Sequence, residues 1–251
     1  MKLTLLEIVT DILNDMDSDE VNSISDTIES VQVAQIVKTC YFEMIGNRNW
    51  PHLRKLIQLE GLATPTKPNY LAIPDGVKEL ESFKYDKFTS TNPNTKLLDV
   101  TFKQPDSFLR FVSSRNSSNS NVETIIDFSG SKLLILNDVA PTYWTTFDDE
   151  KIVTDSYDAS VDTTLNGSKT QCLAYVNPVW VHDNDAVPDL PIEAFPALLA
   201  EAKSTAFYNV KQMPNQKTEQ KSQRQQRWLA RKAWKGHGGV EYPDYGRKGR
   251  R

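Results

Sequence analysis

The stretch from Asp26 to Trp50, DTIESVQVAQIVKTCYFEMIGNRNW, is the most strongly patterned segment of the chain. Ile28, Val31, Ala34, Val37, Tyr41, Met44 and Ile45 recur at three- and four-residue spacing, which places them on one face of a helix. Val33, Ile36 and Cys40 add a second line. A helix with two apolar lines is covered on more than one side, by other parts of the chain, by a neighbouring subunit, or by both. Asp26 followed by Glu29 predicts a capping box at its start, and Gly46, Asn47 and Pro51 supply its stop. At 1.5 Å per residue it spans roughly 35 Å, about the diameter of a small domain.

On either side the pattern divides into three zones. Leu5, Leu6, Val9, Ile12 and Leu13 predict a short first helix over residues 3–14, ended by the polar run DMDSDEVNS. Asp15, Asp17 and Asp19 alternate as in a calcium loop, with Asp26 at the twelfth position, but Glu20 stands where such a loop needs glycine. The run reads as a solvated helix connection. From Leu56 to about Val187 the chain turns to short β-prone pieces: 55–62, 69–73, 77–88, 96–103, 123–128, 132–136, 142–147 and 170–182. VETIIDF and KLLILN joined by SGS predict a tight hairpin with Gly130 at positive φ. Pro105, Asp106, Phe108, Leu109, Phe111 and Val112 predict one helix among the strands, before the low-complexity loop SSRNSSNSN. Helix returns after Pro188, beginning near Ala194 and presenting Ile192, Phe195, Leu198, Leu199, Ala202, Ala206 and Phe207. A break at 213–215 precedes a last, very polar helix, QKTEQKSQRQQRWLARKAWK. The expected fold class is α+β: a bundle of N- and C-terminal helices (1–55 and 188–235) with an antiparallel β-rich insertion (56–187) and a flexible basic tail (236–251).

At 251 residues the chain can form one large domain or two small ones. It has no apolar run long enough to cross a bilayer and no signal-peptide pattern at MKLTLLEIVTDILND, which predicts a soluble protein made in a cytosol. Cys40 and Cys172 are too few for a disulfide framework and lack metal-type spacing, so both read as buried thiols. The net charge of −4 hides an asymmetry: residues 211–251 hold twelve Lys or Arg against three Asp or Glu, net +9, leaving −13 for the rest.

Few residues invite a chemical role. His52, His182 and His237 are scattered, no nucleophile motif accompanies them, and no catalytic, cofactor-binding or metal-binding set is expected. The segment YWTTFDDEKIVTDSYDASVD mixes aromatics with Asp148, Asp149, Glu150, Asp155, Asp158 and Asp162. Paired acids can do acid and base work, but the plainer reading is an acidic hairpin tip that meets another protein. Asn166-Gly167-Ser168 is a turn.

The whole plan resembles the head-to-tail adaptors of short-tailed bacteriophages, also called tail tubular protein A. The likeness rests on NRNWPHL closing the long helix, LAIPDGVKEL opening the sheet region, PTYWTTFDDEKIVTDSYD, and the VPDLPIEAFPALLAEAKSTAFY helix, and it covers nearly the full length. These motifs are architectural. The resemblance implies a structural virion protein at the head-to-tail interface, made in the host bacterial cytoplasm, without enzymatic activity, cofactor or membrane contact. It implies a twelve-membered ring between the portal ring and the tail nozzle, around passing double-stranded DNA that it does not read. Arg224, Arg227, Trp228, Arg231, Trp234 and Lys235 are of the types that anchor interfaces and are the expected portal contacts; Asp148, Asp149 and Glu150 are the expected nozzle contacts. The alternative is a nucleic-acid-binding module, in which the same basic residues contact phosphates while Trp228, Trp234, Tyr242 and Tyr245 stack on bases.

Overall fold

The computed structural model describes residues 2–87 and 97–236, residues 232–236 as backbone; the expected basic tail from residue 237 lies outside the described residues. The fold is α+β, and the chain divides into two compact units: a helical unit of residues 1–53 and 178–251, and a sheet unit of residues 54–177.

In the helical unit, α1 (Leu5–Asp15) starts at a capping box between Thr4 and Glu7 and buries Leu5, Ile8, Val9, Ile12 and Leu13. The long helix, α2, runs from Ile28 to Gly46, nineteen residues or about 28 Å. Its cap is not Asp26. Thr27 takes that place, with Ser30 returning the bond (Ser30 N to Thr27 Oγ1 and Thr27 N to Ser30 Oγ, both 3.0 Å). Asp26 instead accepts from the Asn22 and Ser23 amides at 2.7 and 2.8 Å, closing the preceding loop. A carboxylate just upstream of a helix can serve either group of amides, and here the loop takes it. After the sheet unit come α4 (Phe195–Lys211) and α5 (Gln216–Gly236). α4 packs on α1, α2 and α5, and its alanines 197, 200, 202 and 206 let the neighbouring helices approach closely. The stretch Pro178–Val187, expected in the β-rich insertion with its residues up to His182 as strand, belongs to this unit: Leu5 N donates to Ala186 O and Leu6 N to Asn184 O. Pro178 has no amide to give a sheet, so the strand ends before it.

The sheet unit holds β1 (Arg54–Ile57), β2 (Glu60–Gly61), β3 (Tyr70–Ala72), β4 (Val77–Asp86), β5 (Leu97–Phe102), α3 (Pro105–Ser113), β6 (Val122–Ile126), β7 (Lys132–Leu136), β8 (Tyr143–Thr146), β9 (Lys151–Thr154) and β10 (Thr170–Val176). Eight strands run in the order β1-β10-β4-β5-β8-β9-β3-β2, with β6-β7 as a separate hairpin. The two outermost strands are halves of one stretch, Arg54–Gly61, broken at Gln58-Leu59. The sheet therefore rolls up until both its edges meet the same segment. Leu59, buried, holds the seam by donating its amide to Thr170 Oγ1 at 2.8 Å.

The expected all-antiparallel insertion is corrected at one place: β5 and β8 pair in parallel, Thr101 with Tyr143 and Phe102 with Trp144. Between them the chain makes α3 and the β6-β7 hairpin, a long crossover that returns it in the same direction. One face of the sheet carries Cys172, Phe83 and Val100 across three strands and Ile152 and Leu71 across two more. α3 and the hairpin supply Phe108, Val112, Ile125, Leu133 and Ile135 to the same core. Gly130, φ +84°, makes the hairpin turn as its flexibility predicts.

Candidate interaction surfaces

The last helix has a clear inside and outside. At about 100° per residue, Ser222, Gln226 and Leu229 share one face of α5. Ser222 is fully buried and Leu229 nearly so; Ser222 Oγ donates to Glu201 of α4, Gln226 Nε2 approaches Glu201 Oε2 at 3.3 Å, and Arg48 reaches Gln226 O at 3.3 Å. The same arithmetic puts Lys217, Lys221, Arg224, Trp228 and Arg231 on the opposite face, with Arg227 beside them, and all six are exposed. Of the expected portal contacts, Arg224, Arg227, Trp228 and Arg231 thus stand together on one accessible helix face. Trp234 and Lys235 continue that helix, but their side chains lie outside the described residues. Lys217 and Lys221 were not singled out from the sequence, although their four- and three-residue steps to Arg224 carry the signal.

The acidic residues expected at the nozzle form the turn between β8 and β9. Asp148 Oδ1 accepts from the amides of Glu150 and Lys151 at 3.1 and 2.8 Å, and Lys151 Nζ sits 2.9 Å from Oδ2. Burial raises the Asp148 pKa, but these bonds, led by Lys151, outweigh it and hold it below the usual carboxylate range. Asp148 therefore holds the turn together. Asp149, in left-handed conformation at φ +59°, donates its amide to Thr146 Oγ1 at 2.9 Å and lines a groove of about 650 Å³. Glu150 is 79% exposed. The groove floor holds Phe83 and Trp144, and Phe102, 48% exposed, stands 4.9 Å from the Trp144 ring. Asp155, from the same acidic run, is a buried structural residue paired with Arg115 at 2.9 Å.

The long helix leaves part of its apolar surface uncovered. Ile28 is 80% exposed, Val31 46% and Phe42 41%. Fourteen residues separate Ile28 from Phe42, which returns the helix to nearly the same side. Phe42 belongs to a ring cluster with Tyr41 and Trp180, beside the exposed Val179 and Val181.

No reactive constellation accompanies these surfaces among the described residues. His52 Nε2 lies 3.0 Å from Asp189 O, His182 is exposed in a loop, and His237 lies outside the described residues. Cys40 and Cys172 are buried free thiols, and burial pushes their pKa values up to about 11 and about 12, where the nucleophilic thiolate is scarce. Among the described residues no group of three His, Cys, Asp or Glu is placed to hold a metal ion, and no helix is long and apolar enough to cross a membrane. No protein-family model matches the chain, and no curated protein matches it significantly.

Proposed function

We propose that the chain is a structural subunit of the head-to-tail adaptor of a short-tailed bacteriophage, a ring joining portal to tail nozzle around the DNA channel. The observation that carries this reading is the unfinished surface of α2. Ile28 and Val31 lie on the helix that organises its unit, yet they are open to water at 80% and 46%. Exposed apolar surface at such a position suits a subunit that completes its packing against neighbours, and heterologous contacts that close make rings. Arg227, Trp228 and Arg231, with Trp234, Lys235 and the basic residues beyond, are the proposed portal contacts; Asp149, Glu150 and the aromatic groove beside them are the proposed nozzle contacts. The role is non-catalytic, and its place is the virion.

The test is the mass of the purified protein, alone and mixed with the portal ring of the same virus, by light scattering behind a sizing column. A multi-copy ring, twelve on this reading, is expected on the portal. A protein that ignores the portal and instead binds DNA with steep salt dependence favours the nucleic-acid alternative, which the exposed basic face of α5 supports.

A further inference from the structure

The helical unit is electrically lopsided. Residues 1–31 hold eight Asp or Glu against one Lys, net −7, whereas residues 212–236 hold seven Lys or Arg against one Glu, net +6. The first set lies on α1, the loop after it and the start of α2; the second is α5. α4 packs on both α1 and α5, so the two charge sets stand on different helices of one compact unit. Part of the acidic edge is used internally: Lys203 bridges Asp11 and Asp15 at 3.0 and 2.5 Å, and Lys211 lies 3.8 Å from Glu29. Asp17, Asp19 and Glu20 at the end of α1 remain exposed, as do Lys217, Lys221 and Arg224 on the first half of α5.

We infer that the loop after α1 of one copy receives the first half of α5 of a second copy, as the charged part of a head-to-tail contact between subunits. The inference rests on the ring of the proposed function and names the edges that form it. Lys217, Lys221 and Arg224 spread over about 10 Å of helix, a length that the short loop Asp17–Glu20 can face. Opposite charges on separate helices allow a heterologous contact, in which each copy gives its basic edge to one neighbour and its acidic edge to the other, as a closed ring does. Such charges mainly steer association and fix its register, while the open apolar residues of α2 supply non-directional attraction. The second half of α5 stays available to the portal.

The test uses two full-length variants. Variant A, K217E/K221E/R224E, makes the first half of α5 acidic like the loop after α1; variant B, D17N/D19K/E20K, makes that loop basic like the first half of α5. Asn at position 17 keeps the left-handed backbone, φ +51°, that Asp17 adopts. All six side chains are exposed, and circular dichroism confirms that each variant is folded. By sedimentation equilibrium at about 20 mM salt, the native chain associates, and A and B alone associate at least about tenfold more weakly. An equimolar mixture regains association as mixed species, because each edge of A now meets an opposite edge of B. A native chain that remains a single copy up to about 1 mM at this salt overturns the inference. So does variant A or B associating as the native chain does, or a mixture no better than its parts. Portal binding is read separately: self-association without portal binding removes the adaptor reading and leaves this interface standing, and full ring assembly of A on the portal does the reverse.

Discussion

Replacing Asp155 by Ala removes four bonds at a site only 3% exposed. Its Oδ1 accepts from the amides of Thr142 and Tyr143 at 3.0 and 2.8 Å and from Ser156 Oγ at 3.3 Å, and its Oδ2 faces Arg115 Nη2 at 2.9 Å. Two backbone amides lose their acceptor, at about 1 kcal/mol or more each, and the guanidinium loses its counter-charge while only 11% exposed. The expected loss is about 4 kcal/mol. Arg115 keeps its bonds to the Leu134 and Asp155 carbonyls at 3.0 and 2.5 Å, so its guanidinium is not left without acceptors. Asp155→Asn retains an oxygen for the amides but turns an NH2 donor toward Arg115 and loses the charge pair, and it should cost about 2 kcal/mol. The assay is calorimetric unfolding, in which two units can give two transitions. The transition of the sheet unit should fall by roughly 3–5 °C per kcal/mol, and that of the helical unit should not move. Equal losses for Ala and Asn would refute the assignment of Oδ1 to the amides, and losses below about 1 kcal/mol would refute the pair as a structural centre.

At Gly167 an added Cβ would lie 2.3 Å from Leu59 O, so Gly167→Ala should destabilise the seam of the rolled sheet by about 3 kcal/mol, read as a lower urea midpoint. Thr27→Ala should cost about 1 kcal/mol by loss of the α2 cap, whereas Glu29→Ala, which removes the partner expected in the capping box, should cost less than half of that in the same urea titration. For Asp127, burial raises the pKa but the bonds from Ser129 and Tyr70 outweigh it and bring it down to about 2. A depressed carboxylate contributes stability above its unfolded pKa of about 4 and loses it as pH falls toward 2; discounted for partial exposure, about 1 kcal/mol should vanish over that window and be absent in Asp127→Asn. Ile28→Ser with Val31→Ser should leave the unfolding midpoint of the monomer within about 0.5 kcal/mol and sharply reduce ring assembly on the portal by light scattering, because both residues already face water.

What could be read from the sequence follows the range of the interactions. Helix periodicity and turn chemistry are local, so α1, α3, the start of α4 and the β6-β7 hairpin lie close to their expected places. The cap of α2 misled because Asp26 and Thr27 are both good caps, and the choice was made by a loop amide four residues upstream. β9 was missed because its four residues sit inside an acidic run, and Ile152 and Val153 become strand only by pairing with β3 and β8. The parallel pairing of β5 with β8 depends on where a forty-residue crossover returns, which no local pattern records. Of the interface residues, the basic stripe of α5 was legible because a helix converts spacing into a face. That Asp148 is occupied by Lys151 and the turn amides was not, since carboxylate spacing does not say which amides are near.

The rolled sheet also sets an order of events during folding. Its opening strand finds its partner at the other end of the unit, Arg54 opposite Tyr175, more than a hundred residues later. The helices behave alike, since α2 is flanked by α4, which follows the whole sheet unit. Neither unit can close until late segments have left the ribosome, and contacts this far apart make closure slow. Until then the strand edges of the sheet and the apolar lines of α2 are both open, and these are the features through which nascent chains stick to one another. The chain is thus most vulnerable to misassembly just before it is complete, and slower elongation late in synthesis should lower the yield of soluble protein more than the same delay at the start.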